Sequence, residues 1–356
     1  MKKIAVTVIF LTLFAALSFF GCNGDGGASS NNTNISKNNG TESLFDESNV
    51  YSENYASPAD MFESGDFKQI GKPIITDYAN MDKSGWPLKA QKMAENVKRT
   101  ETYLFTYVSG GCTVAGYISL PENWAEVKRP LLIYNRGGNG DYGANTVESV
   151  SRIAYATNCV VIASQYREAY ADIEKGEHGG KDEFGGADVD DVVYIIEHAE
   201  HMNFIDKQNV IMIGVSRGAM ETVLAIRKDS QHIVKAAACV SGSYDLAKTY
   251  EQREDMRSML ESRIGGSPSE RPDEYALRSA VNFVDEINVP LLILHSTGDE
   301  KAAFSQAEAF ASLLERAGKK YWLVQREGSE HGVANLGEWA DIANVLISGD
   351  KRPAGG

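Results

Sequence analysis

The chain has 356 residues, 43% of them hydrophobic, and a formal net charge of -14. That length and apolar content can bury one large core and correspond to one or two domains. A surface so acidic repels nucleic acid and anionic membrane faces, which excludes both as main partners and leaves small molecules or neutral polymers.

Met1-Lys2-Lys3 supplies a positive end, Ile4 to Phe20 is an almost unbroken apolar run slightly short for a membrane span, and Gly21-Cys22 follows. This is the layout of an export signal over residues 1–21. Its ending, LSFFGC, resembles a bacterial lipoprotein signal, which makes Cys22 the acceptor of the lipid after cleavage. Two acyl chains there would anchor the protein to a bacterial membrane, facing the periplasm or the exterior. The segment after it, NGDGGASSNNTNISKNNGTES, is small and polar, and residues 22–60 read as a flexible leash before a folded domain over 61–350. With Cys22 lipidated, Cys112, Cys159 and Cys239 remain. An odd number argues against a disulfide framework, and Cys159 and Cys239 sit in apolar runs suited to buried thiols.

TYLFTYVSGGCTVAGYISLP reads as a hairpin turning at Gly110-Gly111. The apolar runs PLLIYN, CVVIASQ, NVIMIGV, VKAAACVS and PLLILHS follow, with KKYWLVQRE last. Between them lie the helical stretches TVESVSRIAYAT, ADVDDVVYIIEHAEH, AMETVLAIRKD and SQAEAFASLLERAGK. Short, fully apolar strands alternating with helices describe an α/β fold: a mostly parallel sheet covered on both faces. Residues 246–288 break the rhythm with a charged, helical stretch, expected as an insertion over the carboxyl edge of the sheet.

Gly214-Val215-Ser216-Arg217-Gly218 falls where NVIMI hands over to a helix. In a chain with 33 glycines the G-x-S-x-G spacing alone says little; the strand before it and the helix after it make it a nucleophile elbow. The flanking glycines are needed because the sharp turn brings backbone too close for a Cβ. A serine hydroxyl requires a base, and the base an orienting acid, in the chain order Ser, Asp or Glu, His. LLILHSTGDEKA places Asp299, and YWLVQREGSEHGV places His331, each in the loop after a strand, on the edge that carries Ser216. Asp245 and Glu300 are rivals for the acid. His178, His198 and His201 precede the serine, His232 lies before a strand, and His295 ends one. His198 and His201 share a helix face without H-E-x-x-H or a third ligand, which makes them solvated surface, and neither metal nor cofactor is expected. Asp188, Asp190 and Asp191 suit a helix amino terminus, and Tyr166-Arg167 either borders the pocket or supports it from beneath. The oxyanion donors are expected from the backbone N–H of Arg217 and from NRGGNGDYG, with Arg136 and Gly137 beside the developing charge.

YNRGGNGDYG, IASQYREAY, DEFGGADVDDV, IGVSRGAM, RSAVNFVDEINVPLLILHSTGDE and GSEHGV, in that order over roughly residues 95–348, resemble the catalytic domain of the prolyl oligopeptidase family of serine peptidases. The resemblance implies an α/β-hydrolase fold, the triad Ser216, Asp299 and His331, and an acyl-enzyme route on peptide or ester substrates, with carboxylester hydrolysis as the alternative. Two departures stand out. Arg136 occupies the place where family peptidases often carry a tyrosine that joins the oxyanion hole. The stretch between the leash and PLLIYN is also too short for the β-propeller that gates many members.

Overall fold

The computed structural model describes residues 59–62, 67–82, 84, 97–169 and 179–349. The expected signal, Cys22, nearly all of the leash and His178 lie outside the described residues. Among the described residues nine strands form one sheet: β1 (Lys68–Asp77), β2 (Arg99–Ser109), β3 (Cys112–Pro121), β4 (Arg129–Asn135), β5 (Val160–Ser164), β6 (Ile205–Val215), β7 (Ala236–Val240), β8 (Leu291–Ser296) and β9 (Tyr321–Arg326). Their spatial order is β1-β2-β3-β5-β4-β6-β7-β8-β9. The first three pair antiparallel and β3 meets β5 antiparallel, while every pairing from β5 through β9 is parallel.

The expected hairpin closes with Ser109 opposite Cys112. Strand β1 was not expected. KQIGKPIITD lacks a clean alternation, and at the sheet's edge none of its residues is fully buried. In β5, β7 and β8, by contrast, every residue is buried, because helices cover both faces. Alternation sorts their side chains between two cores. Leu131, Ile133, Leu291 and Ile293 pack with helices Asp188–His198, Arg217–Lys228 and Phe304–Arg316 on one face. Leu132, Leu292 and Leu294 pack with helices Val147–Thr157 and Leu336–Ser348 on the other. Cys159 and Cys239 are free and buried in these layers, where desolvation pushes each thiol up to about 12.

The chain leaves β4 toward β5 and then crosses back to β6 on the other side of β4. The carboxyl ends of β4 and β6 are therefore neighbours whose connections diverge, the crevice in which open α/β sheets bind ligands. Asn135 of β4 pairs with Gly214 of β6, so the loop after β4 and the turn after β6 emerge side by side. Residues 246–288 form three short helices, Leu246–Gln252, Arg257–Ile264 and Pro272–Leu277. They reach the same edge: Arg263 pairs with Glu168 after β5, and Arg253 donates to the Lys301 carbonyl after β8.

Candidate active site

Ser216 stands between β6 and helix Arg217–Lys228 with φ 57° and ψ -123°, a backbone conformation in the positive-φ region that side chains disfavour. Its N–H is held by the Val240 carbonyl at 2.9 Å, which fixes the turn to β7. A Cβ on Gly214 would lie 2.0 Å from the Gly218 carbonyl oxygen, and one on Gly218 would lie 1.9 Å from that of Asn135. Both flanking glycines are thus required by close backbone approach. Ser216 itself is half-buried at the crevice.

Asp299 and His331 come together across the loops after β8 and β9. His331 Nδ1 is 3.0 Å from Asp299 Oδ1 and 2.9 Å from Oδ2. Asp299 Oδ1 also accepts the N–H groups of Lys301 at 2.9 Å and Ala302 at 3.0 Å. Burial pushes this carboxyl up, but the bonds from His331, Ala302 and Lys301 outweigh it and hold it below the ordinary carboxylate range. Neither rival acid is at His331: Asp245 caps helix Leu246–Gln252 by accepting the Lys248 N–H, and Glu300 is exposed.

The loop bearing His331 is pinned by groups that the motif did not reveal. Gly332 N–H donates to Ser241 Oγ at 3.0 Å, and Arg326 donates to the Gly332 carbonyl at 2.9 Å while forking onto Glu338. A Cβ on Gly332 would sit 3.3 Å from Val215 Cγ1, which brings this loop against the residue before Ser216. His295 is fully buried behind Asp299. Its Nε2 lies 2.8 Å from the Ala302 carbonyl and 3.5 Å from Asp299 Oδ2, and burial lowers its proton affinity.

On the other side of Ser216, a Cβ on Gly137 would stand 3.1 Å from Ser216 Cβ and 3.7 Å from Oγ, so the loop after β4 packs tightly against the serine. Arg217 begins the helix, where a backbone N–H has no intrahelical acceptor.

Arg136 requires a correction. Its side chain, expected beside the developing charge, is buried under the loop. The guanidinium donates to the carbonyls of Gln165 at 2.6 and 3.1 Å, Gly140 at 2.7 Å, Gly137 at 3.0 Å and Tyr142 at 3.3 Å. The loop turns back on itself and aims these oxygens inward, and a five-donor fork satisfies them. Tyr166 also lies beneath the site. Tyr166 is fully buried and donates to the Arg136 carbonyl, and Arg167 forms a bidentate pair with Asp191. Asp188, Asp190 and Asp191 all fall in the first turn of helix Asp188–His198, as expected; Asp188 and Asp191 are in addition buried ion-pair partners of Arg217 and Arg167, and Asp190 stays at the surface, paired with Lys228. His198 stacks on Tyr194, and no cluster of potential metal ligands occurs among the described residues.

A half-buried serine on a strained turn, an imidazole held by a carboxylate and a glycine backbone packed against the serine are the parts that acyl transfer uses. The model of the prolyl oligopeptidase family matches residues 152–342. The chain is 28% identical over 222 residues to a Bacillus subtilis (strain 168) protein called uncharacterized peptidase YtmA, across 61% of this chain and 80% of that one. Its fold is similar to that of Pyrococcus horikoshii acylaminoacyl peptidase, with a TM-score of 0.57 at 18% identity, covering 74% of this chain but 43% of the peptidase. It is also similar to that of a Pyrobaculum calidifontis esterase, with a TM-score of 0.53 at 18% identity, covering 73% of this chain and 89% of the esterase. The chain therefore belongs to the prolyl oligopeptidase family of serine peptidases, built on the α/β-hydrolase fold.

Proposed function

We propose that this chain hydrolyses acyl compounds through a covalent intermediate on Ser216. In this reading His331 takes the Ser216 proton as Oγ adds to the substrate carbonyl, and Asp299 holds the imidazole in the required tautomer. The backbone N–H groups of Arg217 and of the Gly137 loop receive the negative charge on the carbonyl oxygen. Collapse of the adduct expels the leaving group with the proton from His331. Water activated by the same imidazole then releases the acid and regenerates the serine. The observation that carries this reading is the Asp299–His331 hydrogen bond, formed on the same sheet edge as the elbow at Ser216.

The substrate class proposed is a peptide or peptide-like acyl compound, in keeping with the family. Small carboxylic esters are the alternative. A specific feature favours keeping it: Lys68–Asp77, Arg99–Ser109 and Cys112–Pro121 are strands of the same sheet, and among the described residues it is helices of 246–288 that reach the edge of the crevice. We propose further that the protein is exported and lipid-anchored through Cys22. One experiment tests the enzymatic reading: the intact protein in detergent is treated with a fluorophosphonate and profiled against aryl esters and short peptides. Labelling confined to Ser216 supports it, and a folded protein that neither labels nor turns over any member refutes it.

A further inference from the structure

Beneath the crevice lies a closed group of charges that the acyl-transfer scheme does not use. The Arg217 guanidinium is 1% exposed and donates to Asp182 Oδ2 at 2.7 Å, Asp182 Oδ1 at 2.8 Å, Asp188 Oδ2 at 2.5 Å and Glu221 Oε1 at 2.9 Å. Its fifth contact is the Gly138 carbonyl at 3.1 Å. Its planar face lies over the rings of Tyr166 and Phe184, 4.9 and 4.6 Å from their centroids. Burial disfavours the charge on Arg217, but Asp188, Glu221 and Asp182 more than compensate and raise its proton affinity well above the ordinary value. Asp182 in turn accepts the Gly140 N–H at 2.8 Å and the Phe184 N–H at 2.9 Å.

One residue thus grips both halves of the proposed oxyanion site. Its backbone directly follows Ser216, and its side chain holds the opposing loop twice, at the Gly138 carbonyl and, through Asp182, at the Gly140 N–H. A buried ion pair of this kind is weak support for stability, because apolar side chains of the same volume often serve as well. It is well suited to fixing geometry, since oxyanion donors act fully only when held within about 0.5 Å of the productive hydrogen-bonding geometry.

We infer that Arg217 and Asp182 are positioning residues, whose shared ion pair sets the Gly137–Gly140 backbone against Ser216 and so determines how well the oxyanion is stabilised. This rests on the proposed role of Ser216. All four bonds to Asp182 come from donors, two on each oxygen. Asp182→Asn therefore puts an amide N–H against the guanidinium in either orientation, and with it against the Gly140 or the Phe184 N–H, with no change of volume.

The test uses the intact protein, an aryl ester and the corresponding trifluoromethyl ketone. Ser216 Oγ would add to the ketone carbon, His331 would take the proton, and the carbonyl oxygen would become a bound oxyanion, so ketone affinity reports the oxyanion site directly. Asp182→Asn should lower kcat at least about tenfold, equivalent to about 1.4 kcal/mol, with KM changed by less than about threefold. Ketone affinity should fall in parallel with kcat/KM, and the thermal transition should stay cooperative. A folded variant with wild-type kcat and ketone affinity would overturn the inference, as would a loss of kcat that spares ketone affinity. If Asp182→Asn does not fold, Arg217→Lys, which keeps the charge and loses the fork, is read by the same criteria. Wild-type protein that fluorophosphonate fails to label at Ser216 would instead defeat the nucleophile assignment, and the two failures stay distinct.

Discussion

His331 Nδ1 faces both carboxylate oxygens of Asp299 almost equally, at 3.0 and 2.9 Å. Oδ1 is shared with two backbone N–H groups, so only Oδ2 is left mainly to the imidazole and to the more distant His295.

Replacing Asp299 by Asn puts an amide N–H in this ring of donors, and the imidazole can then bond only in the wrong tautomer. We expect kcat on an aryl ester to fall about 10³–10⁴-fold. Asp245→Asn should leave it within about twofold, because asparagine caps a helix as well as aspartate does. A larger loss at Asp245 than at Asp299 would move the acid role. The sign of the pH effect on stability is also fixed. The Asp299 carboxyl is held below 3.8 in the folded protein, so its contribution is present above that value and disappears as pH falls through the folded one. The difference between urea melts of wild type and variant should be constant above about pH 4 and shrink progressively as pH falls below it.

The conformation of Ser216 stores strain, which for a residue other than glycine costs about 1–3 kcal/mol. Ser216→Ala and Ser216→Gly should both abolish fluorophosphonate labelling, with turnover reduced on the order of a millionfold. The glycine variant should nevertheless melt higher than the alanine variant, because relief of strain exceeds the roughly 0.5–1 kcal/mol of added chain entropy. Equal melting temperatures would show that the turn is not strained.

Gly218→Ala should be among the most damaging single changes in the molecule, since its Cβ would meet the carbonyl oxygens of Asn135 and Arg136 at 1.9 and 2.7 Å. These are backbone atoms of β4 and its loop and cannot rotate away, so a loss above about 3 kcal/mol is expected. Gly318→Ala, with φ +67° and nothing within 4 Å, isolates the conformational cost alone, about 1–2 kcal/mol. Comparable denaturation midpoints for the two variants would contradict the close approach at the elbow.

Burial, and then the neighbouring Asp188, raise the Glu221 carboxyl well above its usual range. The folded state therefore keeps this proton while the unfolded state releases it above about pH 4.5. Wild-type stability at this position is complete below that pH and declines as pH rises toward the folded value. Glu221→Gln, permanently neutral and still able to accept from Arg217 Nε, lacks this decline. Its melting temperature relative to wild type should rise with pH and then level off, and a difference independent of pH would contradict a raised carboxyl.

The strands, the helices that cover them and the elbow were legible in the sequence because each depends on residues close together in the chain. Five consecutive residues and the strand before them define the turn at Ser216, and fully apolar runs such as PLLILHS have no place except between two covered faces. Asp299 and His331 could be named, ahead of Asp245 and Glu300, from chain order and from their loops following strands; the hydrogen bond between them, and the helix cap that occupies Asp245, belong to the tertiary structure. Strand β1 escaped notice because an edge strand needs only one partner and little apolar patterning. The charges under the crevice were beyond the sequence for a different reason. Arg217 meets Asp182 and Asp188 across 35 and 29 residues of chain, and Arg136 meets Gln165 across 29. A charged side chain written in a loop looks the same whether it faces water or lies buried, and only the folding of distant segments over it decides which hydrogen bonds it must satisfy.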